Sequence, residues 1–125
     1  MPRILVIDDD PDTRAMLEQT LRSAGYEVIL AADGKEGVTR HRASPAALVI
    51  TDLYMPIQDG METIRELRSH FPRTALIAMS GRPEAGTMLC IAQNLADVGI
   101  LRKPFLTDEL LAAVARALGG ESAVP

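Results

Sequence analysis

Short runs of consecutive hydrophobic residues recur along the chain, and longer stretches of mixed polarity separate them. Runs of this kind are typical of strands that are buried on both faces of a parallel sheet. The pattern therefore predicts five parallel strands. They cover Ile4 to Ile7, Tyr26 to Leu30, Ala47 to Ile50, Ala75 to Met79 and Val98 to Leu101.

The stretches between the predicted strands place apolar residues at the spacing of an amphipathic helix. Asp33 and Asp59 each lie three positions before a Glu, which is the spacing of a capping box at the start of a helix. Further boundary signals are Gly25 after the first helix, and Pro11 and Pro83 in first turns. The residues predicted to share a helix face are Met16, Leu17, Leu21 and Ala24, then Ile64, Leu67 and Arg68, then Leu110, Val114 and Leu118.

Regular alternation of strand and helix predicts an α/β fold, because parallel strands joined by right-handed crossovers receive helices on both faces of the sheet. We expect one doubly wound, five-stranded parallel sheet with five helices. The chain of 125 residues matches one domain. We assign 1–118 to that domain and 119–125 to a flexible tail or a truncated linker.

Composition narrows the range of functions. Hydrophobic residues make up 47% of the chain, which argues against disorder, and a net charge of −4 with 3% aromatic residues disfavours direct binding of nucleic acid. The single Cys90 forms no internal disulfide, and the start of the chain is too short in apolar residues for a signal peptide or a membrane span. We expect a cytoplasmic protein that is not bound to a membrane.

Polar residues follow the predicted strands, at the edge where ligands bind in an open α/β sheet. Several carboxylates in one crevice repel one another unless a cation shares the site, and an oxygen-only set of ligands favours Mg²⁺. This arrangement indicates phosphoryl transfer. The residues in question are Asp8, Asp9 and Asp10 after the first strand, Thr51 and Asp52 after the third, Ser80 after the fourth, and Arg102 and Lys103 after the fifth.

Simpler roles are open to some of these residues. Asp10 precedes Pro11, the pattern of a helix cap, whereas Asp8 and Asp9 have no capping role. Taken alone, Lys103 is a surface lysine and Ser80 a loop hydroxyl. His41 and His70 lie at helix ends far in sequence from the acids, and we expect both to be solvated surface residues.

Four segments together resemble the signature of the response-regulator receiver family, in the same order and spacing, over Ile4 to about Leu118. The resemblance implies a flavodoxin-like strand order of 2-1-3-4-5 and a signalling switch that catalyses its own phosphorylation and dephosphorylation, rather than an enzyme acting on a separate substrate. The segments are Ile4 to Asp10, Leu48 to Pro56 with Asp59-Gly60 beyond it, Ala78 to Gly81, and Arg102 to Phe105.

The resemblance also implies a role for each site residue. Asp52 is the phosphoacceptor, and Mg²⁺, or Mn²⁺ in its place, is held by Asp8, Asp9, Asp52 and the backbone carbonyl of Tyr54. Lys103 pairs with the phosphoryl group, and Ser80 donates its hydroxyl to the aspartyl phosphate. The bond between Lys103 and Pro104 is expected to be cis.

The chain departs from the family at Ile100, where a switch Tyr or Phe is usual. By family similarity, Tyr54 and Arg82 tune the loss of the phosphoryl group. The expected partners are a histidine kinase or phosphotransfer protein, and a downstream target or second copy that binds the fourth predicted helix, the fifth strand and the fifth predicted helix. The fourth helix, from Pro83 to about Leu95, is expected to expose at least one of Leu89, Cys90 and Ile91.

Two other functions compete with this interpretation. One is a haloacid-dehalogenase-like phosphatase, with paired acids in Asp8 to Asp10 or Asp10 to Asp12, although it leaves the segment from Asp52 to Pro56 unexplained. The other is a degenerate receiver that only docks other proteins. Whether the chain is free-standing or part of a longer protein stays open, as do its kinase and pathway.

Overall fold

The computed structural model describes residues 2–53, 59–81 and 98–119. Within these ranges the chain forms strands and helices in regular alternation, apart from the undescribed segment between the fourth and fifth strands. The helix that sequence analysis counts as the fifth is labelled α4. The elements are β1 (Arg3–Ile7), α1 (Pro11–Ser23), β2 (Glu27–Ala31), α2 (Gly34–Ala43), β3 (Leu48–Asp52), α3 (Gly60–His70), β4 (Ala75–Ser80), β5 (Gly99–Arg102) and α4 (Thr107–Ala117).

The strands form one parallel sheet in the order β2-β1-β3-β4-β5, which confirms the predicted fold class and strand order. The chain changes direction across the sheet between β1 and β3, whose last paired residues are Ile7 and Thr51. Open α/β sheets bind ligands beyond the carboxyl ends of the strands at such a point. The fold therefore places the ends of β1 and β3 side by side.

Each strand contributes alternate residues to two hydrophobic clusters, one on each face of the sheet. Ile4 and Val6 pack with Leu17 of α1 and Leu110 of α4 on one face. On the other face, Leu5 and Ile7 pack with residues of α2 and α3, including Val38, Ile64 and Leu67. Helices therefore cover both faces, as expected for a doubly wound sheet.

The predicted face of α1 was only half right. Leu17 and Leu21 are fully buried, but Met16 is 45% exposed and Ala24 is also exposed. Met16 precedes Leu17 by one position, so it is rotated about 100° away from the sheet. Ala24 is the C-cap residue and lies beyond the helix.

The predicted helix caps are present where the structure describes them. The carboxylates of Asp33 and Asp59 accept hydrogen bonds from the backbone of Glu36 and Glu62, at 2.8 and 2.9 Å. Gly25 follows α1 with a φ of 99°, a conformation that favours glycine. These residues mark the starts of α2 and α3 and the end of α1.

Several strands extend past the predicted ends, so that Asp52, Ser80 and Arg102 are the last residues of β3, β4 and β5. Within the described ranges, none of the helices is long and apolar enough to cross a membrane. The predicted fourth helix, with Pro83, Leu89, Cys90 and Ile91, lies outside the described residues, as do Tyr54 and Arg82.

Candidate functional site

Three carboxylates meet where β1 and β3 end. Asp8 and Asp9 follow β1, Asp52 ends β3, and one carboxylate oxygen from each lies within 4.8 Å of the others. Asp8 is fully buried, Asp52 is 8% exposed and Asp9 faces solvent. The cluster therefore opens on the side of Asp9, where a ligand can enter from solution.

The carboxylate of Asp8 is held at both oxygens. Oδ1 accepts the backbone N–H of Asp10 at 2.9 Å, and Oδ2 accepts the ammonium of Lys103 at 3.0 Å. Burial raises the pKa of Asp8, and the bonds from Asp10 and Lys103 only partly offset this effect. Burial thus disfavours the charged form of Asp8, and positive charge close to the carboxylate favours it.

Lys103 supplies positive charge beside Asp8. Its Nζ lies 3.0 Å from Asp8 Oδ2 and 2.9 Å from Asp52 Oδ2, so one ammonium bridges acids from two strands. Burial alone would lower the pKa of Lys103, but hydrogen bonds to Asp52 and Asp8 and the charges of both carboxylates outweigh burial and raise it. The backbone N–H of Lys103 donates to the backbone carbonyl of Ser80 at 3.0 Å. The Lys103–Pro104 peptide bond is cis, as the resemblance implies.

Ser80 lies beside the acidic cluster through the register of the sheet. Asp52 pairs with Met79 on the neighbouring strand, and the backbone N–H of Leu53 extends this pairing to the Met79 carbonyl at 3.0 Å. Ser80 is the next residue of β4 and is 3% exposed. Ser80, the last residue of β4, therefore lies at the same edge of the sheet as Asp52.

The backbone after Asp52 returns very close to the strand. A Cβ on Gly60 would collide with the Asp52 carbonyl oxygen and with Leu53 Cα, which would lie 2.6 Å away. The N–H of Gly60 donates to the Leu53 carbonyl at 3.0 Å. Glycine is thus required at this position to let the start of α3 pack beneath Asp52.

Asp10 is the cap of α1, as its position before Pro11 indicates. Its carboxylate accepts the Thr13 hydroxyl at 2.7 Å and the backbone N–H of Asp12 at 3.2 Å. The Thr13 and Asp12 bonds together lower the pKa of Asp10. Asp10 is exposed and does not join the carboxylate cluster.

The prediction that His41 is a solvated surface residue was wrong. His41 is 1% exposed, its Nδ1 accepts the N–H of Ala46 at 3.1 Å, and its Nε2 lies 3.0 Å from the Thr74 hydroxyl. The ring also packs edge-on against Phe71, with centroids 4.5 Å apart. His70, by contrast, is exposed as predicted. Burial lowers the pKa of His41, which favours the neutral ring.

Sequence reasoning missed Arg14. Its guanidinium donates a 2.7 Å hydrogen bond to the backbone carbonyl of Asp8. The sequence shows only that a cation lies near the start of a helix, where it opposes the helix dipole, and this does not identify the group that it contacts.

The donor set at the cluster fits a hard divalent cation. Asp8, Asp9 and Asp52 offer carboxylate oxygens alone, the ligands that Mg²⁺ and Ca²⁺ take in proteins. Their mutual repulsion is relieved by a shared cation, a role that Lys103 already fills in part. The arrangement suits transfer of a phosphoryl group to a carboxylate, because positive charge is needed there to stabilise the negative phosphoryl oxygens.

Comparison with known proteins gives the family. The model of the response regulator receiver domain matches residues 4–115. This chain belongs to the response regulator receiver family. The transcriptional regulatory protein PrrA of Mycobacterium tuberculosis is 34% identical over 113 residues, which are 90% of this chain and 48% of PrrA. The chain thus spans about half the length of the curated relatives it matches.

Solved receiver structures have the same fold. A response regulator receiver domain protein from Clostridium thermocellum has a TM-score of 0.90 and 28% identity, with all of both chains covered. TrrA from Thermotoga maritima, crystallised in complex with Mg²⁺-BeF, has a TM-score of 0.85 and 32% identity over 94% of this chain and all of TrrA.

As a receiver, the chain is a phosphoacceptor in two-component signalling. The match covers the segment from Asp52 to Pro56 that the haloacid-dehalogenase-like alternative left unexplained, and that alternative is rejected. Ile100 is half-buried and packs against the core cluster on the α2 and α3 face. An aliphatic side chain therefore packs into the core at position 100.

Proposed function

We propose that Asp52 accepts a phosphoryl group from a partner histidine kinase, a phosphotransfer protein or a small phosphodonor, with Mg²⁺ or Mn²⁺ bound beside it. The observation that carries this proposal is the meeting of Asp8, Asp9 and Asp52 with the Lys103 ammonium, which lies 3.0 and 2.9 Å from two of the carboxylates. The family assignment supports it.

The cation site consists of Asp8, Asp9, Asp52 and the backbone carbonyl of Tyr54, which lies outside the described residues. Oxygen ligands from carboxylates, together with water and a phosphate, are the set that Mg²⁺ prefers. The complex of TrrA with Mg²⁺-BeF supports a divalent cation here. When bound, the cation offsets negative charge on the oxygens of the transferring group.

Lys103 holds the site ready in the unphosphorylated state. Its ammonium balances Asp8 and Asp52, and its raised pKa keeps it charged at neutral pH. When a phosphoryl group arrives, its oxygens compete with the two carboxylates for the same donor. Lys103 then stabilises charge that develops on the phosphoryl oxygens.

Asp52 supplies the nucleophile. One of its carboxylate oxygens forms the bond to phosphorus as the bond from phosphorus to the donor nitrogen or oxygen breaks, and the electron pair leaves with the donor. The Ser80 hydroxyl, from the neighbouring strand, donates to an oxygen of the resulting aspartyl phosphate. This bond draws the end of β4 toward Asp52 and begins the switch.

The output surface comprises β5, α4 and the predicted fourth helix, where a downstream target or a second copy binds. Because Ile100 replaces the usual aromatic, the response runs through the segment after Ser80 rather than through an aromatic rotamer. Tyr54 and Arg82 set the lifetime of the phosphorylated state. We assign 1–118 to the receiver domain and leave 119–125 outside it.

The test is phosphorylation of the purified chain by acetyl phosphate, followed by intact-mass measurement with and without Mg²⁺. Uptake should require the cation and disappear in Asp52→Asn. Asp10→Asn is the matched control, since Asp10 is an exposed acid of the same loop outside the cluster, and it should be phosphorylated normally. Undiminished uptake in Asp52→Asn would refute the proposal, and a wild-type chain inert to every donor would favour the degenerate receiver.

A further inference from the structure

Arg14 makes a contact with the acidic loop that the phosphorylation chemistry does not require. The backbone N–H of Asp8 donates the last hydrogen bond between β1 and β2, to the backbone carbonyl of Ala31 at 3.2 Å. The Asp8 carbonyl lies beyond the paired residues of β1, and Arg14 Nη1 donates to it at 2.7 Å. The Arg14 side chain of α1 therefore binds the first carbonyl after β1, which lies beyond the hydrogen bonds of the sheet.

The position of Arg14 in its helix is unfavourable for a cation. Pro11 is the first residue of α1, so Arg14 is the fourth, close to the positive end of the helix dipole. Among the ion pairs of the described residues, Arg14 takes part in none, and its guanidinium faces a carbonyl instead. Its half-buried charge is thus directed at the Asp8 backbone.

The hydrogen bond from Arg14 to the Asp8 carbonyl also restrains the backbone of Asp9. The peptide unit is planar, so the direction of the Asp8 carbonyl sets the direction of the Asp9 backbone. The Asp8 side chain already has partners at both oxygens, Asp10 N–H and Lys103. Arg14 therefore restrains the main-chain link between the buried acid and the exposed acid of the cluster.

We propose that Arg14 is a positioning residue, which holds the peptide between Asp8 and Asp9 so that both carboxylates face one divalent cation. This inference rests on the proposed cation site. It assigns to Arg14 no contact with the cation or with the phosphoryl group. Groups of this kind, one step removed from a metal, change its affinity by about 10- to 100-fold when they are removed.

Positioning and charge predict opposite results for the removal of Arg14. A nearby positive charge repels Mg²⁺, so removing only a charge would tighten binding. Removing a support for the ligand pair would weaken it. The direction of the change in affinity therefore separates the two roles.

The experiment is calorimetric titration of the unphosphorylated chain with Mg²⁺. We expect Arg14→Met to bind about tenfold more weakly, and Arg14→Lys, which keeps a donor of similar reach, to stay within about threefold of wild type. The matched control is Arg22→Met. Arg22 lies on the same helix and also donates to a backbone carbonyl, that of Val28 at 3.0 Å, but far from the cluster, so its loss should leave Mg²⁺ affinity unchanged.

The outcomes distinguish this inference from the proposed function. A wild-type chain that does not bind Mg²⁺ would overturn the cation site itself. Equal or tighter binding by Arg14→Met, beside normal wild-type binding, would overturn the role of Arg14 alone. Circular dichroism checks that the variants fold. If Arg14→Met does not fold, Arg14→Gln is titrated in its place and judged by the same criteria.

Discussion

The buried contacts of His41 give a quantitative test of the structure. Its Nδ1 accepts the N–H of Ala46, and a backbone N–H can only donate, so this nitrogen carries no proton. In the neutral ring Nε2 carries the proton and donates it to the Thr74 hydroxyl. The ring therefore ties the end of α2 to the loops that precede β3 and β4.

Replacing His41 with Ala removes all of these contacts. An unsatisfied buried N–H at Ala46 costs about 1–3 kcal/mol, and the edge-on contact with Phe71 contributes about 0.5–1.5 kcal/mol. We expect the free energy of unfolding to fall by about 2–4 kcal/mol. For a domain of this size that is a drop on the order of 10 °C in Tm. His41→Asn keeps an acceptor near Nδ1 and should lose less.

The pH dependence of stability has a definite sign. Burial lowers the pKa of His41 below its ordinary value of 6.5, so the unfolded chain takes up this proton more readily than the folded one. The neutral ring therefore costs no stability above about pH 6.5, and stability falls as the pH drops below that value toward the folded-state pKa. The slope is at most about 1.4 kcal/mol per pH unit.

Urea unfolding between pH 7.5 and 5.5 measures both effects. The stability difference between wild type and His41→Asn should narrow as the pH falls, because the variant lacks the titrating ring. His70→Ala is the control, since an exposed histidine should change stability by no more than about 0.5 kcal/mol. Equal losses from the His41 and His70 replacements, or a gap that stays constant with pH, would refute the buried, neutral His41.

Two further predictions concern the acidic edge of the sheet. Lys103→Met leaves Asp8 and Asp52 without their shared ammonium, which is itself partly exposed. The metal-free chain should lose about 1–3 kcal/mol in urea unfolding, and added Mg²⁺ should restore part of this loss. An unchanged midpoint would mean that the bridge contributes nothing. Gly60→Ala forces backbone against backbone at Asp52 and Leu53, and should both destabilise the chain by about 2 kcal/mol or more and slow phosphoryl uptake from acetyl phosphate. Wild-type behaviour in both assays would contradict the close approach of α3 to β3.

Sequence alone predicted the sheet because the pattern of buried strands and amphipathic stretches is strong and the connections obey one handedness. The strand ends were less certain. Hydrogen bonding continues past the end of the apolar run at Ile50, as in the bond from the Leu53 N–H to the Met79 carbonyl, and the hydrophobic pattern does not predict it. Similarly, Met16 and Leu17 are both apolar, and only their rotation about α1 decides which one is buried.

The acids and the lysine could be predicted because they follow strands and match a family pattern, whereas His41 and Arg14 could not. The partner of His41 at Thr74 is 33 residues away, so its burial depends on how α2 and the loop before β4 meet. Arg14 bonds to a backbone carbonyl, which leaves no mark on the sequence at the accepting residue. Contacts of this kind appear only when the chain is folded.

The buried charge of Asp8 also bears on how this chain can evolve. Because the pKa of the buried Asp8 is raised on folding, the unfolded chain ionises it more readily, and its charge costs stability at neutral pH. Selection for thermal robustness alone would therefore replace Asp8 with a neutral residue early, and the chain would become sturdier and lose the switch. The opposite end of the sheet, where His41 is fully satisfied, is free of this conflict, so gains in robustness that preserve signalling should accumulate there.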